Sequence, residues 1–176
     1  MRSRIATWFE TKVRYSKTSQ EDGTEKMVTE SYVVDALNFT EAESKITDEI
    51  AVYVSGEYSV TGITKAAYSE VLFSDLADDD KWYKVKVQFV TLDDKTQKEK
   101  RTNHNYLVQS NSLARALRYT EDVLGKGAGD FSIVALSETK IMDVFEHKAP
   151  SDGKADSSDE KKEEQNDVPE YEKVLA

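Results

Sequence analysis

Along residues 8–15 the chain alternates. Phe9, Thr11, Val13 and Tyr15 fall on one side of an extended backbone, and Trp8, Glu10, Lys12 and Arg14 on the other. A period of two in aromatic and β-branched residues predicts a half-buried strand. The polar stretch SKTSQEDGTEK then has the composition of a hairpin connection, and MVTESYVVDA reads as the returning strand. Beyond it the period changes. Thr40 and Glu43 fit a T-x-x-E capping box, and Ala42, Ile46 and Ile50 share one helical face. Two further alternating segments, residues 56–64 and 67–73, complete a ββαββ pattern.

The pattern is then written again. At an offset of 74 positions Trp8 meets Trp82, Phe9 meets Tyr83, Lys12 meets Lys86, Val13 meets Val87 and Tyr15 meets Phe89. Tyr32 meets Tyr106 and Val34 meets Val108 in the same register, and YSVTGIT aligns with FSIVALS one position off it. The second helix reads from a Ser/Asn start through Leu113, Leu117 and Leu124 to a stop at Gly125. The expected fold is therefore α+β, with a first ββαββ repeat over 1–75 and a second over 80–147. A lone copy has only a thin core by surface-to-volume scaling. Two copies are expected to pack about a pseudo-twofold as a single-chain dimer, with the acidic stretch LADDDK as the joint.

After residue 147 the character changes. Residues 148–176 carry nine acids against five lysines, few apolar residues and both prolines of the chain. This is the composition of a disordered acidic tail. Val168, Tyr171, Val174 and Leu175 restore some apolar character near its end.

Composition narrows the functional classes. The chain of 176 residues has a formal charge of −10, no cysteine and no apolar run long enough to cross a bilayer. Disulfides and thiolate chemistry are excluded, and a cytoplasmic setting is expected. Charge is uneven, however. Residues 81–126 hold ten cations against five acids, and one basic segment can bind an anion locally on an acidic protein.

Catalytic patterns are weak. The two histidines, His104 and His147, are not paired with a nucleophile by any recognisable spacing. Carboxylates such as Asp78, Asp79 and Asp80 fall in the joint. The glycine-rich GKGAGD follows a helix and precedes a strand, the reverse of the order a phosphate cradle needs, so it reads as a helix stop and turn. A non-enzyme without cofactor or metal is expected.

If Phe9, Val13 and Tyr15 face the core, Trp8, Lys12 and Arg14 face outward, as do Trp82, Lys84 and Lys86 in the second half. A tryptophan beside alternating cations suits single-stranded nucleic acid, with stacking on bases and ammonium groups on phosphates. Arg101, Asn103 and Asn105 extend the second strip. The same pattern also fits tryptophans that cap the core or bury the joint between copies. The expectation is a single-stranded-DNA-binding protein of phage or mobile-element replication or recombination. The alternatives are a protein-interaction adaptor using a sheet edge or the Ile46 and Ile50 helix face, and a minor phage structural component. Replication or recombination proteins are the partners expected at the tail, and no membrane is.

The W-[FY]-x-x-K-V opening and the Y-[VL]-V second strand, over residues 5–146, resemble an uncharacterised family associated with Bacteroidetes genomes and their phages. That resemblance implies a bacterial or phage setting and no activity. NDVPEY in the tail is similar to the acidic-hydrophobic tail peptides of single-stranded DNA-binding proteins, which implies partner recruitment.

Overall fold

The computed structural model describes residues 1–127 and 129–147; the expected tail lies outside them. The fold is mixed α+β, mostly strand. Its elements are β1 (Arg2–Arg4), β2 (Trp8–Thr18), β3 (Glu25–Asp35), α1 (Phe39–Ala51), β4 (Tyr58–Ala66) and β5 (Tyr68–Phe73). They continue as β6 (Lys81–Leu92), β7 (Glu99–Ser110), α2 (Leu113–Leu124), β8 (Asp130–Glu138) and β9 (Ile141–Phe145).

Two sheets form, and each draws on both halves of the chain. One has the order β1-β5-β7-β6-β8, the other β4-β2-β3-β9. The hairpins β2–β3 and β6–β7 are antiparallel, with β4 and β8 on their outer margins. The last strand of each half crosses over. β5 pairs in parallel with β7, and β9 in parallel with β3.

The two sheets share their register. Trp8 faces Asp35 across its hairpin, and Trp82 faces Gln109. The β2–β4 ladder slips between Lys12 and Val13, the β6–β8 ladder between Lys86 and Val87. The parallel ladders slip between Ser31 and Tyr32 in one sheet and between Tyr68 and Glu70 in the other.

Three apolar clusters hold these layers together. Ala42, Ile46 and Ile50 of α1 pack onto Phe9, Val13, Tyr32 and Val34. Ala116 of α2 packs onto Tyr83, Val85, Val87, Tyr106 and Val108. Between the sheets lie Trp8, Val33, Ile141 and Val144 from one side and Val71, Trp82 and Leu107 from the other. The helices therefore cover the outer faces, and the sheets meet through the tryptophan faces.

Local details differ from the sequence pattern. α1 starts before the expected box: Asn38 caps it by accepting from the Glu41 amide at 2.9 Å, and Glu41 accepts from the Leu37 amide at 2.7 Å. In α2 the buried positions are Ala116 and Thr120, while Leu113 is half exposed. Ala116 and Thr120 lie deepest, flanked by half-buried Tyr119, Val123 and Leu124 that pack on the same sheet, and the Thr120 hydroxyl donates to the Ala116 carbonyl at 2.8 Å. Gly125 does end α2, where a Cβ would stand 2.8 Å from the Glu121 carbonyl oxygen.

Candidate nucleic-acid interface

On the inter-sheet side of β2, exposure rises with distance from the sheet contact. Trp8 is 0% exposed, Glu10 is half-buried, and Lys12 and Arg14 are open to solvent. β6 repeats the gradient, with Trp82 at 2% followed by exposed Lys84 and Lys86. The side chains share one face because strand side chains alternate, and four residues along a strand is about 13 Å. The facing sheet covers the first residues of that face and stops. Tyr68 of β5 marks the boundary. Burial, and then the Glu10 carboxylate on the opposite sheet, push its hydroxyl up to about 12.

The expectation that Trp8 and Trp82 present rings to solvent is therefore overturned. Both are among the largest fully buried or nearly buried side chains, and Phe73 meets Trp82 edge-on at 5.5 Å. Period two assigned them to the correct face, but a second sheet covers that face. The Ile46 and Ile50 face of α1 is also unavailable to a partner, since both residues are fully buried against β2 and β3.

The cations behave differently. Lys12, Arg14, Lys84 and Lys86 make no ion pair among the described residues. On the four-stranded sheet their cross-strand neighbours are small or polar: Ser31 and Gly62 beside Lys12, Thr29 and Ser59 beside Arg14. Lys84 stands between Leu107 and Ser137, and Lys86 between Asn105 and Ala135. No carboxylate occupies these flanking positions. Arg101 lies on the same face two rungs beyond Lys86, opposite Val90, and pairs weakly with Glu99 at 3.5 Å. Asn103 accepts from Gln88 at 3.3 Å. Sheet pairing thus joins Lys84, Lys86 and Arg101 into one strip, with Lys12 and Arg14 on the other sheet.

The basic N-terminus is consumed structurally. Arg2 makes a two-pronged bond to Glu146 at 2.6 and 2.7 Å and lies over the Phe73 ring. Arg4 pairs with buried Asp35 at 2.6 Å. Lys45 also bonds Asp35, at 2.8 Å, and the His147 amide donates to it at 2.9 Å. Burial raises the Asp35 pKa, but these donors outweigh it and hold the carboxyl below its ordinary range.

The joint is not plain linker. Asp79 is 2% exposed and accepts from Ser74, from Arg115 at 2.9 Å and from Tyr119 at 2.8 Å. Burial again raises its pKa, and the three donors pull it below the ordinary value. No signal in DDD distinguishes it from its two exposed neighbours. Among the described residues no group of three His, Cys, Asp or Glu side chains is placed to hold a metal. No described helix is long and apolar enough to cross a membrane.

Comparison with known families decides the affiliation. Residues 7–147 match the family model "Domain of unknown function (DUF4494)". The chain belongs to that family. The DUF4494 match takes in both hairpins, both helices and the parallel strands β5 and β9. No curated protein and no solved structure matches the chain.

Proposed function

We propose that this DUF4494 chain is a non-enzymatic binding protein that holds single-stranded DNA through its phosphates, along the exposed ends of β2 and β6. One observation carries the reading. Lys12 and Lys86 stand exposed at matching positions of the two sheets, flanked on the same faces by exposed Arg14 and Lys84, and none of the four has a carboxylate partner among the described residues. On a chain of net charge −10, two uncompensated cations spaced along each strand favour a ligand with regularly spaced negative charge. Ser31, Thr29, Ser59 and Ser137 beside them supply hydroxyls suited to phosphate oxygens. The tryptophans are no part of this surface and act as the core between the sheets.

On the same reading, the halves are tandem ββαββ copies of one unit about a pseudo-twofold, a single-chain dimer that exchanged its last strands. The recurrence of registers and ladder slips supports it. The acidic tail then competes for the cationic strips or recruits replication and recombination proteins, in the cytoplasm of a bacterial host of a phage or mobile element.

The test is a double charge reversal, Lys84→Glu with Lys86→Glu, in the full chain. Fluorescence anisotropy of a labelled mixed-sequence oligonucleotide should report a loss of affinity of at least about tenfold at low salt. Unchanged affinity would contradict the proposal. It would favour a protein partner added along the outer margin of β4 or β8, both nine-residue edge strands.

A further inference from the structure

The outer faces of the two sheets are built from corresponding positions but filled differently. On the four-stranded sheet, Glu30 sits between two tyrosines. The Tyr15 hydroxyl donates to its Oε2 at 2.9 Å and the Tyr32 hydroxyl at 2.7 Å. Ile50 closes the end of α1 with no exposure, and the Tyr58 hydroxyl bonds the Thr47 carbonyl at 3.1 Å. At the 74-position offset Phe89 replaces Tyr15 and His104 replaces Glu30, and Phe131 pairs with Phe89 as Tyr58 pairs with Tyr15. Tyr106 keeps the hydroxyl of Tyr32, but those of Tyr15 and Tyr58 are gone, and so is the Glu30 carboxylate. In their place is a cavity of about 540 Å³ between the end of α2 and the five-stranded sheet, lined by Phe89, Thr102, His104, Val123, Leu124 and Glu70 among others.

We propose that this cavity is a binding site for a flat, amine- or amidine-bearing ring of nucleobase size. The volume falls in the range of small-molecule sites. Its walls are Phe89, edge-on to His104 at 5.3 Å, with Val123 and Leu124 from the helix. Its charged groups among the described residues are the carboxylates Glu70 and Asp130. Glu70 takes a bond from Ser3 through Oε2, leaving Oε1 without a partner among the described residues. Asp130 also lines the space, and no lysine or arginine does among the described residues. His104 is held through Nδ1 by the Ser69 hydroxyl at 3.1 Å, so Nε2 is the nitrogen left for a ligand. Aromatic walls select a flat ring, while uncompensated carboxylates select donors and cations and reject anions. The site lies on the opposite face of the sheet from Lys84 and Lys86 and does not depend on that strip.

Full-length protein labelled with ¹⁵N would be titrated with adenine, with benzamidine and with benzoate, which has a similar ring and the opposite charge. Saturable shifts confined to Phe89, Thr102, His104 and Leu124, given by the first two probes and not by benzoate, are the expected result. Glu70→Gln should weaken benzamidine about tenfold, the equivalent of one charge-assisted hydrogen bond. Val123→Trp, which fills the cavity from the helix side, should abolish the shifts while leaving the β2–β3 amides unmoved. Absence of saturable shifts with both amine probes, equal binding of benzoate, or unaltered binding in Val123→Trp would each overturn the site.

Discussion

The two ends of β2 and β6 teach the main lesson of this fold. Trp8 and Lys12 point to the same side of one strand, as do Trp82 and Lys86, yet the first of each pair is buried and the second open. Alternation determines which face a side chain occupies. Burial depends on how far a second layer extends over that face. Here the opposite sheet covers the tryptophans, reaches Glu10 through Tyr68, and leaves the cations in water.

That contrast can be broken most sharply at its buried end. Trp8→Ala or Trp82→Ala should each cost about 3–5 kcal/mol, the usual penalty for emptying a core aromatic site, read as a fall in the urea midpoint. A loss below about 1 kcal/mol would mean that the sheets do not meet there in solution. The buried carboxylates come next. Asp79 and Asp35 both lie below their ordinary value of 3.8. A depressed carboxylate stabilises the fold fully above its unfolded pKa, and the contribution is lost as pH falls through the native value. Urea midpoints should therefore drop as pH falls below about 4, the unfolded carboxylate range, and Asp79→Asn should flatten that acid limb. An unchanged limb would show that the Arg115 and Tyr119 contacts do not hold the carboxylate charged.

A smaller difference separates the indole rings. The Trp8 Nε1 hydrogen is buried with no acceptor among the described residues, and an unmet buried donor costs roughly 1–3 kcal/mol. Trp8→Phe removes that donor along with some ring volume, so it should destabilise far less than Trp8→Ala. Equal losses in the two variants would show that the N–H is satisfied. Smallest of all, Lys12→Glu with Arg14→Glu should move stability by no more than about 0.5 kcal/mol, as exposed substitutions do. A larger loss would place these side chains in structural contacts.

Much of this architecture was legible in residue types. Phe9, Val13 and Ile46 announced the face that meets α1, and the alternation from Trp8 and from Trp82 announced β2 and β6. The parallel pairing of β5 with β7 and of β9 with β3 was not legible, because alternation constrains side chains while the choice of ladder partner is made by backbone groups common to every residue. β1 was missed because three residues, Arg2 to Arg4, carry no period; their place is set by Glu146 and Asp35, more than thirty residues away in each case. The cations of the proposed interface were visible in sequence. Their freedom from carboxylates required the cross-strand neighbours, and the burial of the tryptophans required the second sheet. The Phe89 and His104 cavity left only a faint trace, the loss of Tyr15 and Glu30 at corresponding positions.

The central claim is that phosphates, and not stacked bases, are what the surface holds. The most direct measurement is oligonucleotide affinity against salt concentration, followed by anisotropy and by tryptophan emission in the same cuvette. Contacts to four phosphates predict a log–log slope of about −3 for single strands, with emission unchanged because both indoles are shielded from the ligand. Affinity indifferent to salt, or tryptophan quenching that follows the binding curve, would contradict the account.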